Sequence, residues 1–121
     1  MSMFSLIKDQ YREARGGSSR FLNIYCDHCG EHLLLYQKDG LGHLKRLYLD
    51  RIVAPENLTR LQHKPLETIA PLRCHSCGRL IAIADDYDKE QRKVYLLFSF
   101  AVTKRVTKGI YPPSILKIDV E

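Results

Sequence analysis

Cys26-Asp27-His28-Cys29-Gly30 and Cys74-His75-Ser76-Cys77-Gly78 are the segments of this chain whose residue types and spacing can do chemistry. Two residues between paired thiolates let both sulfurs reach one cation at about 2.3 Å, and two such pairs complete the tetrahedron that zinc prefers. A glycine directly after the second cysteine of each pair suits the tight turn there, which favours a residue tolerant of positive φ. Cys26, Cys29, Cys74 and Cys77 are all the cysteines of the chain, so one four-thiolate site uses every thiol. Closed by four protein ligands, such a site holds no position for water, and its expected role is structural rather than hydrolytic. Two other chemistries fit parts of the pattern. A four-cysteine tetrahedron also accepts iron. One Cys-x-x-Cys pair alone can be a redox dithiol, although the βαβ setting of that motif is missing.

The other polar groups are looser. His28 and His75 lie inside the knuckles and are expected to face solvent. His32 opens the segment after the first pair, and His43 and His63 are isolated, without the placed partner that acid–base catalysis needs. Lys38, Lys45, Arg46 and Arg51 are interleaved with Tyr36 and Tyr48, and Lys104, Arg105 and Lys108 form a second basic group. Cations mixed with aromatics can grip phosphates and stack on bases. Glu31, Asp39 and Asp50 are mixed in, however, and a solvated strand face reads the same way. Asp85-Asp86-Tyr87-Asp88 lacks the ligand spacing and distal Glu of an EF-hand loop, and is expected to be an exposed acidic turn.

The elements that must hold the cysteines read as short β runs. Phe21 to Tyr25 leads into the first knuckle and His32 to Gln37 leads out. Leu66 to Leu72 and Arg79 to Ala84 do the same at the second. His43 to Ile52 is a further run between them, followed by a stretch punctuated by Pro55 and Pro65. Arg92 to Thr103 is the longest strand candidate, with Val94, Leu96, Phe98, Phe100 and Val102 on one face at period two. Pro112-Pro113 ends regular structure, and Ile115 to Val120 is an expected edge strand. Residues 2–15 are expected to form a short helix, capped by Ser2 with Phe4, Ile7, Tyr11 and Ala14 as its apolar stripe. Gly16-Gly17-Ser18-Ser19 follows as a flexible hinge. The expected organisation is an N-terminal arm and hinge over 1–20 and a zinc-binding β domain over 21–121. The fold class is mainly β: a small zinc-stabilised antiparallel domain, β-tent or zinc-ribbon-like, with a short N-terminal helix.

With 121 residues and 45% hydrophobic composition the chain can bury a core of its own, so the metal is expected to assist the core rather than replace it. The first fifteen residues lack the order of a secretory signal, and no apolar stretch approaches the roughly 18 residues of a membrane span. A cytoplasmic protein is expected, and reduced thiols in that compartment favour metal over disulfides. The formal net charge of +5 falls to about +3 once four thiolates hold a divalent ion. That permits a nucleic-acid partner without demanding one.

The order of these features resembles the β-tent fold of Yippee proteins, methionine-R-sulfoxide reductases and the ligand-binding domain of cereblon. The matching residues are Cys26, Cys29, His32 and Leu33, then Cys74 and Cys77, with Arg79 to Val102 as a closing hairpin. The 44 residues between Cys29 and Cys74 exceed the gap of a compact ribbon. The resemblance implies a β-tent fold built on one zinc ion. It withholds the best-known activities, because no cysteine stands in the late strand near Val94 to Leu97 and the chain has no Trp for a cereblon-type cage. The expected function is therefore a non-catalytic zinc domain that binds a protein partner or small ligand, through its sheet face and the 36–65 segment. The alternative is a nucleic-acid-binding zinc ribbon with contacts at Lys38, Lys45, Arg46, Arg51, Lys104 and Arg105. An enzyme is the third class, for which His32, His43 and the Asp85–Asp88 turn are the available polar groups.

Overall fold

The computed structural model describes residues 2–113, so the expected strand Ile115–Val120 lies outside the described residues. In chain order the strands are β1 (Ser2–Met3), β2 (Ser19–Cys26), β3 (His32–Asp39), β4 (Arg46–Tyr48), β5 (Ile52–Ala54), β6 (Leu72–Arg73), β7 (Leu80–Tyr87), β8 (Arg92–Leu97), β9 (Val102–Thr107) and β10 (Ile110–Tyr111), with one α-helix, α1 (Gln10–Ala14), between β1 and β2. Short 3₁₀ turns at Leu49–Arg51, Glu56–Leu58, Leu61–His63 and Leu66–Thr68 fill the long connection from β4 to β6. Two four-stranded antiparallel sheets result, ordered β5-β3-β2-β9 and β4-β8-β7-β6, and β1 pairs β10 in a small third ladder.

Side-chain alternation on β2 and β3 decides how these layers stack. Leu22, Ile24, Leu34 and Tyr36 enter the main core with Leu47, Ile81, Ala82 and Tyr95 of the second sheet. Phe21 and Leu35 point to the opposite face, where with Ala54 they make a second cluster covered by Phe4, Leu6 and Tyr111. Both faces of the β2–β3 hairpin are thus covered, and every residue from Phe21 to Cys26 is buried. Each fully buried aliphatic side chain contributes on the order of 2 kcal/mol, so a core of this size is a substantial source of stability beside any metal.

The N-terminal segment departs from the helix expected over 2–15. Ser2 and Met3 pair with Tyr111 and Ile110, and the Phe4 amide donates to Gly109 O at 2.8 Å. Extended chain then continues to Ile7, whose N–H donates to Gln37 Oε1 while its carbonyl accepts from Gln37 Nε2. The inward residues are accordingly Phe4 and Leu6, at strand spacing, and Ile7 of the expected helical stripe is exposed. The cap is Asp9, not Ser2: Asp9 Oδ1 accepts from the amides of Tyr11 and Arg12 and starts the helix at Gln10. A buried Gln side chain that satisfies both the N–H and the C=O of one residue competes successfully with helix formation here. The expected Gly16-Gly17 hinge is instead a helix stop. Both glycines have positive φ, and their amides return to Glu13 O and Arg12 O at 3.0 Å.

Two further differences bear on function. The strand expected over Arg92–Thr103 is broken at Phe98–Ala101, where the chain leaves the β7–β8 sheet and crosses to β9 on the other. Phe100 adopts a left-handed φ of 60° in that crossing, and the Ala101 amide closes it on Phe98 O at 3.2 Å. The run expected over His43–Ile52 is likewise split, into β4, a 3₁₀ turn and β5. The turn swings Arg51 inward, and that residue is only 1% exposed. Its Nε donates to Asp39 Oδ2 at 2.8 Å, and its terminal nitrogens donate to both carboxylate oxygens of Asp9. Arg51 is therefore not available as a nucleic-acid contact. The 36–65 segment as a whole is not a loose recognition loop either, since Tyr36, Leu47, Leu49, Ile52 and Leu61 belong to the main core.

Candidate metal centre

The two knuckles sit at the ends of hairpin-like strand pairs, one from each sheet, and are built alike. In the first, the Cys26 amide donates to Glu31 O and Gly30 N to Cys26 O, both at 2.8 Å. In the second, Cys74 N donates to Arg79 O at 2.9 Å and Gly78 N to Cys74 O at 2.8 Å. Gly30 and Gly78 share a φ of 80°, which lets each turn reverse without a Cβ clash. Equal sequence spacing has produced equal backbone geometry, and the geometry turns the thiols of both knuckles towards one point.

All four Sγ atoms lie within 4.8 Å of one another. Cys26 Sγ is 3.8 Å from Cys77 Sγ, and Cys29 Sγ is 3.5 Å from Cys74 Sγ. A disulfide needs about 2.05 Å, so none of these pairs is bonded. A tetrahedron with metal–sulfur bonds of about 2.3 Å has sulfurs about 3.8 Å apart. These two separations lie at or near that value and all four sulfurs are within 4.8 Å of one another, close enough for one tetrahedral ion. Cys26 and Cys74, the first member of each pair, are buried in the main core, whereas Cys29 and Cys77 are exposed. The ion would thus sit at the edge of the core with one ligand of each knuckle on either side.

Crowding four thiols sets their protonation against one another. Burial pushes the Cys74 thiol up, but the backbone amides of Cys77 and Ser76 and the neighbouring sulfurs outweigh it and draw the group down to about 7. At Cys29 the Glu31 amide favours the thiolate, yet burial and the sulfurs of Cys74, Cys77 and Cys26 prevail and push it up to about 12. One thiolate is easy to form and the next is not, a conflict that a divalent cation resolves.

The histidines add no ligand to this cluster. His75 Nε2 lies 3.1 Å from Glu31 Oε2 and so links the second knuckle to the residue that closes the first. His32 Nε2 lies 2.9 Å from Asn23 Oδ1, which sets the proton on Nε2, and burial holds the ring below its ordinary pKa and neutral. Among the described residues His28, His43 and His63 make no hydrogen bond or ion pair through their rings. None is placed as a base against a nucleophile. Asp85 and Asp86 are exposed on the end of β7 rather than in the turn expected there.

The basic residues separate into those already neutralised and those that are not. Arg15 is held by Glu90, Arg92 by Asp50 and Glu90, and Arg51 by Asp9 and Asp39. Lys38, Lys45 and Arg46 make no ion pair among the described residues, and all three line one cavity with Arg15 and His43. Lys104 and Arg105 lie on β9, opposite Ile24 and Asn23 of β2. Lys104 is close enough to Lys38 to act on it: burial, then Arg20, Lys104 and Arg15, depress the Lys38 ammonium pKa. The structure therefore brings Lys38, Lys45 and Arg46 to one cavity and removes Arg51 from the exposed cations. It also adds Phe98 and Phe100, which period two sets on one face of a continuous strand and which are exposed in the crossing between the sheets. Their only sequence signal was the serine and alanine beside them, too small to mark a break.

No protein-family model, curated protein or solved structure matches the chain.

Proposed function

We propose that this chain is a structural-zinc domain of β-tent type that acts as a non-catalytic interaction module. The observation that carries the reading is the closed set of four sulfurs, two from each sheet, at the separations of one tetrahedral ion. Zinc is preferred over iron because a site that only joins two sheets needs no redox chemistry, and zinc supplies none. Four uncrosslinked thiols suit a reducing compartment, the cytoplasm, and no helix among the described residues is long and apolar enough to cross a membrane. The β-tent likeness is supported by two antiparallel sheets that meet at the cysteines. The lack of a fifth thiol and of Trp argues against the reductase and cereblon-type activities. What remains is a surface that binds, to a protein, a small ligand or a nucleic acid.

Cobalt substitution tests the closed character of the site. Co²⁺ refolded into the chain is expected to give the intense d–d bands of a four-thiolate tetrahedron, and added azide, cyanide or imidazole should leave them unchanged. Bands that shift on adding these ligands would show an open coordination position and overturn the non-catalytic reading.

A further inference from the structure

The acidic residues of this chain are placed with care. Arg15, Arg51 and Arg92 are each met by one or two carboxylates, as buried or half-buried arginines require. Against that background the cavity lined by Lys38, His43, Lys45 and Arg46 stands out. It measures about 140 Å³, several water volumes and room for a phosphate group. Asp39 reaches its wall, but its oxygens already accept from Ser19 Oγ, Gln37 Nε2 and Arg51 Nε. Arg46 stacks on Tyr87 with Cζ 4.3 Å from the ring centroid, and its buried Nε has no hydrogen-bond partner. An unsatisfied buried guanidinium N–H is costly and calls for an acceptor. Burial first, and then the nearby cations Arg20, Lys104 and Arg15, hold the Lys38 ammonium below its ordinary pKa. This is an anion site by chemistry, and Arg with Lys suits a phosphate.

Lys45 and Leu44 line a second concavity as well, formed with Leu97, Phe98, Phe100 and Val102. The backbone explains the adjacency: Lys45 O accepts from Leu97 N, so the start of β4 lies beside the end of β8 from which the aromatic turn emerges. Phe100 is 86% exposed and Phe98 45%. A phenylalanine so exposed in a left-handed conformation costs on the order of 1–3 kcal/mol and persists where the surroundings fix it. Here they do. Phe98 N donates to Ile81 O at 3.0 Å, and Ala101 O accepts from Asp27 N of the first knuckle at 2.9 Å. The turn is thus pinned to the second sheet on one side and to a metal-binding loop on the other, with its rings outward.

We propose that this continuous surface binds single-stranded nucleic acid, with Lys38, Lys45 and Arg46 on the phosphates and Phe100, assisted by Phe98, stacked on bases. Unpaired cations beside rigidly displayed aromatic faces are the two parts such binding needs. An acidic protein segment would satisfy the cations but gives the rings no planar partner. A duplex presents phosphates while keeping its bases stacked internally, so it leaves Phe100 unused.

Fluorescence anisotropy with the metal-loaded chain and a labelled mixed-sequence RNA of about twelve nucleotides tests this, at salt between about 50 and 200 mM. Binding should weaken steeply with salt, and Arg46→Ala or Lys45→Ala should each flatten the log–log slope by about 0.7. Phe100→Ala should weaken binding about tenfold at every salt. Phe100→Tyr should retain it, and Phe100→Leu, which keeps apolar bulk but no π face, should not. The same length of duplex and an acidic peptide should bind more weakly and be indifferent to residue 100. Inorganic phosphate should compete only at far higher concentration than the RNA. The proposal is overturned by no RNA binding at low salt, by binding indifferent to Phe100→Ala, or by duplex, peptide or phosphate binding as tightly as RNA. Metal content and circular dichroism of each variant keep the two readings apart. A folded, metal-loaded chain that ignores RNA overturns this inference alone, whereas RNA binding by a folded metal-free chain overturns only the structural role of the ion.

Discussion

Stripping the metal with a chelator is expected to unfold the two-sheet body, and Cys29→Ser and Cys74→Ser should do so alike. Structural zinc contributes an apparent 10–16 kcal/mol in small domains, against a total stability of about 5–15 kcal/mol for most domains. Even a fraction of the ion's contribution is decisive. The geometry says why the loss spreads: Cys26 and Cys74 belong to the main core, and the knuckles are the point where β2–β3 of one sheet meets β6–β7 of the other. Without an ion, the four thiols within 4.8 Å of one another lose the four metal–sulfur bonds that would join the sheets. The pair of variants separates coordination from packing. Cys74 is buried and Cys29 exposed, so a packing effect would make Cys74→Ser much the worse. Loss of a ligand makes them equivalent. Urea titrations with and without chelator measure this, and superimposable curves would contradict it.

Arg51→Met is expected to be the most damaging substitution away from the cysteines, lowering stability by about 3–5 kcal/mol. The guanidinium is 98% buried in its side chain if judged by the 2% that remains exposed, and Asp39 retains 4%. Removing the cation leaves a buried carboxylate facing apolar surface, with Ser19 and Gln37 as its remaining donors. It also frees Asp9, whose side chain is 36% exposed, from the body while leaving it as the helix cap. Arg51 is thus the clasp between the N-terminal arm, β3 and the turn after β4, and its loss should expose residues 2–15 to hydrogen exchange before the core.

The same variant carries a pH signature. The Arg51 hydrogen bonds hold the Asp9 carboxyl at about 2, below its usual 3.8. Burial pushes Asp39 up, but Ser19, Gln37 and Arg51 overcome it and leave that group below its ordinary value as well. A carboxylate lowered by folding stabilises the protein fully above its unfolded-state pKa and loses that contribution as pH falls through the folded-state value. The wild type should therefore lose stability between about pH 4 and pH 2 through this network. In Arg51→Met that loss should shrink, because Asp39 without its cation prefers to be protonated. Thiolate protonation and metal release act on both proteins, so the difference between them isolates the network. Equal acid sensitivity of the two would contradict the assignment.

The clustering of the four cysteines was legible in the sequence because its information is local. Cys-x-x-Cys-Gly sets the turn, the turn sets the thiols, and repetition of the unit implies a shared ion. The strands flanking the first knuckle, and the one leaving the second, were equally plain, whereas the run expected over Leu66 to Leu72 is a 3₁₀ turn at Leu66–Thr68 followed by a strand of only Leu72–Arg73. What escaped was decided at long range. Gln37, an unremarkable polar residue in a strand, satisfies both backbone groups of Ile7 and keeps the arm extended. Arg51 looked like any surface cation until two carboxylates, Asp9 and Asp39, were brought to it from opposite directions. Val94 to Val102 carries large apolar residues at every second position, yet the chain leaves one sheet for the other within it. The period-two pattern continued through the break, and that is why Phe98 and Phe100 read as one face of a continuous strand.

X-ray absorption spectroscopy on the full chain, purified without added metal and paired with metal analysis, tests the central claim most directly. One zinc per chain with four sulfur scatterers at about 2.3 Å is the predicted result. A metal-free, folded chain, a disulfide between any two of the four cysteines, or nitrogen or oxygen in the first coordination sphere would contradict it.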